Sequence, residues 1–168
     1  YFQAIFEAHQ EEMARDERVV LIGEDLSLYT KVGLLGSELA SRIFSAPISE
    51  NGFAGVGVGA ALTGLRPVVD FTIASFVYLA MDQVVNQAAR LRYMTGGQAS
   101  VPIVFRASMW HGASNAAQHS DRPYPMLMHA PGIKVVVPAT PADVKGLLKA
   151  AIRDDDPVFV FEDNSLWF

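Results

Sequence analysis

Short apolar runs alternate with longer amphipathic stretches along this chain. Phe2 to Arg15 puts Ile5, Phe6, His9 and Met13 on one face at helical spacing. Val19-Val20-Leu21-Ile22-Gly23 is a continuous apolar run, the pattern of a strand buried on both faces. Four further runs repeat that pattern: Arg66 to Phe71, Val101 to Phe105, Ile133 to Val137 and Pro157 to Phe161. The intervals read as helices. Gly52 to Leu62 is a helix of small residues, and Val77 to Tyr93 is a long one closed by Gly96-Gly97. Pro141 to Arg153 has the fullest start signal, with Thr140 as N-cap, Pro141 in the first helical position and Asp143 where a capping box wants an acid.

Strands that alternate with helices need crossover connections. The expected fold is therefore α/β, a mostly parallel central sheet flanked by helices, in a single domain over residues 1–168. Repeats, low-complexity tracts and internal linkers are absent. Such sheets hold ligands at the carboxyl ends of their strands, so residues 46–53, 72–78 and 107–124 are the places to look for chemistry.

Composition narrows the function classes. Hydrophobic residues make up 51% of the 168 and charged residues only 18%, enough for a sizeable core and too apolar for disorder. Lys plus Arg is 13 against 18 Asp plus Glu, a net charge of −5 with both signs interspersed, which argues against a nucleic-acid or anionic-membrane surface. The longest uncharged apolar run, Phe71 to Met81, is about half the roughly 20 residues that span a bilayer. Residues 1–18 carry Glu7, Glu11, Glu12, Asp16 and Glu17, so no secretory signal is expected there. The sequence has no Cys, hence no disulfide framework and no thiolate metal site. The expected location is the cytoplasm, or the mitochondrial matrix in a eukaryote.

Gly52, Gly55, Gly57 and Gly59 tempt a dinucleotide reading, but Leu62 stands where the third glycine of G-x-G-x-x-G belongs. A P-loop motif is also missing. The glycines are expected to let the helix pack closely on other backbone. Glu50, just before them, reads either as a helix N-terminal acid with Ser49 as cap or as a buried carboxyl able to share a proton. His119 and His111 lie in an irregular stretch, Ala107 to Pro123, and are either functional or merely solvated. His9 and His129 are expected to be structural. The histidines show no helical ligand spacing, so a transition-metal site has no support. Phe76 is either core or an aromatic stacked on a planar ligand. Unaided, the residues suggest a site with one acid, one aromatic and one histidine, of unspecified chemistry.

Several segments together carry a resemblance. They are Gly23-Glu24-Asp25, Pro47-Ile48-Ser49-Glu50-Asn51-Gly52-Phe53, Gly59-Ala60-Ala61-Leu62-Thr63-Gly64-Leu65-Arg66-Pro67, Asp82-Gln83-Val84-Val85-Asn86-Gln87-Ala88-Ala89, Ala117-Gln118-His119-Ser120, and Lys145 to Asp154. In that order, from about residue 3 to 162, the chain resembles the beta subunit of thiamine-diphosphate-dependent 2-oxo acid dehydrogenases, which act on pyruvate, branched-chain 2-oxo acids or acetoin. The resemblance implies a transketolase-like pyrimidine-binding domain. It assigns Glu50 to the ring nitrogen of the cofactor's aminopyrimidine, where a shared proton drives the exocyclic amine to its imino form. It places Phe76 on the pyrimidine, and Ile48 and Thr72 around the same pocket. It gives His119 to oxyanion-like intermediates near the substrate and the incoming lipoyl group. It also matches Ile103, Ala151, Ile152, Asp154 and Asp156 to a structural monovalent cation site, K⁺ in some relatives.

Two departures bear on what the chain does alone. The family holds the diphosphate and its Mg²⁺ with a G-D-G…N motif on an alpha subunit, and no G-D-G occurs here. The family's C-terminal domain is also not part of this sequence, which leaves open a fragment or a standalone module. The implied enzyme is a hetero-oligomer, a heterotetramer in the family, with an alpha subunit, a lipoyl-bearing acyltransferase and a 2-oxo acid as partners. Asp121, after His119-Ser120, replaces a commoner uncharged residue and is expected to tune substrate preference. Alternatives are a split transketolase-type enzyme, for which Arg106 and Arg122 would serve sugar phosphate, and a non-catalytic assembly module. Finally, the small-residue helix at 52–62 is expected at a subunit interface beside the cofactor.

Overall fold

The computed structural model describes residues 1–110 and 114–167. Its six strands are β1 (Val19–Gly23), β2 (Ile43–Ser45), β3 (Arg66–Ile73), β4 (Val104–Met109), β5 (Lys134–Val136) and β6 (Val158–Asp163). They form one sheet in the order β2-β1-β3-β4-β6-β5, with every pairing parallel. The helices are α1 (Phe2–Arg15), α2 (Ser27–Lys31), α3 (Glu50–Leu62), α4 (Ala89–Met94), α5 (Tyr124–Met128) and α6 (Pro141–Arg153). The α/β fold expected from the sequence is the fold observed. No helix of the described residues is long and apolar enough to cross a membrane.

The pleat sends alternate side chains to opposite faces, and each face has its own core. Val69, Phe71, Phe105, Phe159 and Phe161 pack with α3 and the segment that follows β3. Within that layer Phe71 stacks on Phe105 and Phe159 with ring centroids 5.9 and 6.0 Å apart. Val68, Val104, Val158 and Val160 face the other way, onto α1 and α6. These two helices are tied along their outer edges by Lys145 to Glu7 and Glu11, Lys149 to Glu11, and Arg153 to the buried Glu12. Thr140 caps α6 as its sequence requires, its Oγ1 accepting from the Asp143 amide at 3.1 Å.

Four expectations shift. β2 has no counterpart in the sequence reading, because a three-residue, mostly exposed edge strand makes no apolar run. β4 starts at Val104 and continues through Met109, and β3 and β6 each extend two residues past the apolar run; β5 is trimmed to three. The long helix expected over 77–93 is broken into a 3-10 segment, Ala74–Ala80, then π-helical turns, Asp82–Ala88, then α4. The widened turns lie against Gly55 of α3, where a Cβ would sit 3.3 Å from Gln83 Oε1, so packing on α3 overrides local propensity. Ser49 occupies the N-cap position of α3 without capping it, since its hydroxyl donates to the Pro47 carbonyl at 3.2 Å.

The glycines of α3 divide by neighbour. A Cβ on Gly57 would collide with Val69 Cγ2 and come within 3.2 Å of Ile103 Cδ1, so only hydrogen lets α3 approach β3 this closely. Gly57→Ala is expected to cost a net of up to about 2 kcal/mol, since overpacking of about 1–3 kcal/mol offsets the helix-propensity gain of about 1. Urea unfolding checks this, and a more stable variant contradicts the packing.

Candidate active-site half at the strand carboxyl ends

The connection from β1 runs outward to β2, whereas β3 returns to the opposite side of β1, so the chain reverses between β1 and β3. A crevice at such a reversal is the natural ligand position of an open α/β sheet. Glu24 follows the end of β1, Ile48 and Glu50 follow β2, Thr72 and Phe76 stand at and after the end of β3, and His119 follows β4. Thus Glu50, Ile48, Thr72, Phe76 and His119 all gather on one edge of the sheet. His111 lies outside the described residues.

Glu50 is the first residue of α3 and only 5% exposed. Its carboxyl takes no hydrogen bond from the described residues. One turn further along α3, Phe53 and Ala54 are buried in the core beneath it. A buried residue whose carboxyl has no hydrogen bond among the described residues suits a ligand that supplies one. Phe76 and His119 meet edge-on, with ring centroids 5.1 Å apart and planes at 82°. Tyr78 donates to Asp121 at 3.1 Å, which fastens the 3-10 segment after β3 to the His119 loop. Ile48 is 81% exposed, at the rim, not in a closed pocket.

Glu24 is a residue the sequence reading quoted but gave no role. It is buried and its Oε2 has no partner among the described residues, as is true of Ser75 Oγ after β3. Burial first, and then the charges of Glu50, Asp25 and Asp70, push the Glu24 carboxyl up to about 7. A carboxyl with its proton affinity raised toward neutrality, in a strand-end crevice, is a candidate for proton-handling chemistry. The available signal was positional: Gly23-Glu24-Asp25 directly follows a buried strand. Gly23 itself is required there, because a Cβ would strike the Asp70 carbonyl.

Beneath this edge, on the α1 face, lies a buried ionic cluster. Arg106 of β4 donates through Nε and Nη2 to Glu162 of β6 at 2.8 and 2.7 Å, and through Nη1 to Asp70 of β3 at 2.5 Å. Tyr29 also donates to Asp70, at 2.7 Å. Arg106 is therefore committed to the core and is not available to a sugar phosphate, which removes half the support for a transketolase-type substrate. Arg122 donates to the Trp110 carbonyl at 2.6 Å. His9 is structural as expected: it is fully buried, Nδ1 lies 2.8 Å from the Ile5 carbonyl, and burial with the Arg106 charge pushes it down to about 3.

Far below, at the opposite ends of the strands, stand the residues matched to a monovalent cation. The carbonyls of Ile152 and Asp154 both accept from Arg66 Nη1, at 3.1 and 2.9 Å. The Ile103 carbonyl accepts from the Val158 amide at 3.0 Å, and that of Ala151 from the Asp154 amide at 3.2 Å. A cation binding these oxygens would share two of them with a guanidinium. Groups of three or more His, Asp or Glu able to hold a metal are absent among the described residues.

At this level the protein is an α/β domain whose candidate site residues lie along the strand carboxyl ends. A family model described as transketolase, pyrimidine binding domain, matches residues 1–167, and the chain belongs to that family. It is 49% identical over 170 residues to the pyruvate dehydrogenase E1 component subunit beta of Rhizobium meliloti (strain 1021), covering 98% of this chain and 37% of that protein. It is 47% identical to the mitochondrial pyruvate dehydrogenase E1 component subunit beta of Bos taurus, covering 98% and 47%. The chain thus spans about half or less of the length of these relatives. Among solved structures, a split gene transketolase described as an inactive beta4 tetramer superposes with a TM-score of 0.78 at 24% identity, over 94% of this chain and 49% of that one, a likeness of fold.

The raised Glu24 carboxyl has a consequence for stability. The folded protein holds that proton more tightly than the unfolded chain, so this contribution is full below about 4.5 and is lost as pH rises toward and through about 7. Glu24→Gln is expected to melt with the parent at pH 5 and above it at pH 8. A melting difference that does not change with pH contradicts the assignment.

Proposed function

We propose that this chain is the pyrimidine-binding half of a thiamine-diphosphate-dependent 2-oxo acid dehydrogenase, completed by an alpha-type subunit. The observation that carries the reading is Glu50, a buried carboxyl without a partner among the described residues, at the start of a helix and on the same edge as Phe76 and His119. The name of the relatives, pyruvate dehydrogenase E1 component subunit beta, supports pyruvate as substrate.

The roles follow from position. Glu50 would hold the cofactor by a hydrogen bond to a ring nitrogen of the aminopyrimidine, with the protonated Glu24 carboxyl as its neighbour. Phe76 presents its ring to the heterocycle, and Thr72 and Ile48 border it. His119, held against Phe76, faces the substrate side and donates a hydrogen bond or proton to developing oxyanion charge. When bound, the cofactor supplies a stabilised carbanion equivalent for cleavage next to a 2-oxo group. Its diphosphate and Mg²⁺ belong to the partner's G-D-G…N motif. A lipoyl-bearing acyltransferase takes the acyl product. The monovalent cation remains a structural element of this reading at Ile103, Ala151, Ile152, Asp154 and Asp156, competing with Arg66 for carbonyl oxygens.

The half-site is expected to close by assembly. On α3, Val56 is 62% exposed and Gly59 has nothing within 4 Å of a built Cβ. Gly59→Leu therefore leaves the fold intact and blocks association, as read by melting and by light scattering of the coexpressed subunits. Normal assembly of that variant removes α3 from the interface.

The direct test reconstitutes the chain, with whatever follows it in its natural protein, and a G-D-G-bearing alpha subunit, thiamine diphosphate and Mg²⁺. Pyruvate-dependent reduction of an artificial electron acceptor is then measured. Glu50→Gln is expected to fold and assemble but to lose at least about 100-fold in turnover, the usual contribution of a positioned proton-transfer group. Turnover close to that of the parent sinks the assignment.

A further inference from the structure

We propose that Asp70 and Ser108 are positioning residues that hold Thr72 in a left-handed backbone conformation and thereby decide which face of the sheet receives Phe76. The inference rests on the reading of Phe76 as a cofactor-facing residue. It begins with an anomaly: Thr72 has φ +64°, a region that β-branched residues rarely enter. The residue is clamped on both sides. Its amide donates to Asp70 Oδ1 at 2.8 Å, and its carbonyl accepts from Ser108 Oγ at 2.7 Å. Asp70 is itself fixed by Arg106 and Tyr29, so the clamp is anchored in the buried cluster.

The position of this clamp explains its use. Between the pairs Asp70–Arg106 and Ile73–Ser108, β3 carries one residue more than β4, which makes a bulge. One extra residue reverses the alternation of side chains that a strand would otherwise keep. Before the bulge, odd-numbered Val69 and Phe71 lie on the α3 side. After it, Ala74 opens the 3-10 segment on that same side, Val77 and Ala80 follow at a spacing of three, and Phe76 packs against that layer. The α3 side is where Glu50 starts its helix. Without the extra residue Ile73 would take that side, and Ala74, from which the segment starts, would face α1. The strained threonine is thus the joint that brings the aromatic to the acid's side of the sheet.

The test uses the assembled enzyme with its alpha subunit and measures the dissociation constant for thiamine diphosphate with Mg²⁺ by titration calorimetry. Ser108→Ala removes one arm of the clamp from a buried position with little volume change. It is expected to weaken cofactor binding about five- to tenfold, the effect of one hydrogen bond. In a Thr72→Gly background, where glycine enters positive φ without a clamp, the same Ser108→Ala change is expected to alter affinity by less than about twofold. A merely structural loss at Ser108 would carry over into that background undiminished. Unaltered affinity in Ser108→Ala, or an equal loss in the Thr72→Gly background, overturns the proposal. Phe76→Ala and Glu50→Gln serve as references. If they lose affinity while Ser108→Ala does not, the clamp alone is wrong; if both bind like the parent, the site reading fails and the clamp with it.

Discussion

Arg106 sits fully buried in the middle of the sheet with a carboxylate on each side, Asp70 from β3 and Glu162 from β6. An arginine in this position is expensive to desolvate and is kept only if its donors are filled, as they are here by three short bonds. The cluster holds one carboxylate more than it holds cations, and burial together with Asp70 pushes the Glu162 carboxyl up. Removing Arg106 would leave Asp70 and Glu162 together in the core without their cation, so the guanidinium locks the three central strands in register at their carboxyl ends. The position of every site segment is measured from that lock.

Asp70 is where the lock and the site join. One of its oxygens serves Arg106 and Tyr29, and the other receives the Thr72 amide. Its carbonyl limits the residue opposite it on β1 to glycine, after which Glu24 is delivered into the crevice. A single aspartate therefore connects the buried ion pair, the bulge in β3 and the carboxyl pair Glu24 and Glu50. The opposite face contributes differently, through close packing: stacked phenylalanines and the hydrogen side chain of Gly57 let α3 settle onto β3. Glu50 is placed by that settling, since it is the first residue of the same helix.

The edge so formed is open. Ile48, Val56, Tyr78 and Leu79 remain exposed around it, and Phe76 and His119 are only partly covered. Open sites of this kind lack the water exclusion that proton transfer and carbanion chemistry require. Membership of the pyrimidine-binding domain family fits a division of labour in which one chain handles the heterocycle and another the diphosphate. The candidate site groups Glu24 and Glu50 are carried on a strand end and a helix start, which holds them on rigid elements.

The sequence by itself determined the class of fold, the central strands and the cap of α6, because apolar runs and capping residues act locally. It also made Glu50, Phe76 and His119 suspects, through their places after strands, and ordered motifs then tied them to one family. It was silent on β2, which is too short and exposed to leave an apolar signature. It misjudged 77–93, where packing against Gly55 opened the helix into wider turns. Arg106 looked like a free cation, and only the pairing of three strands revealed both of its partners. Glu24 acquired a role the same way, since its burial and its interaction with Glu50 depend on two strand ends meeting in space. Local chemistry is legible in a chain of residues, whereas partnership, burial and the face a bulge selects are set by contacts between segments far apart along it.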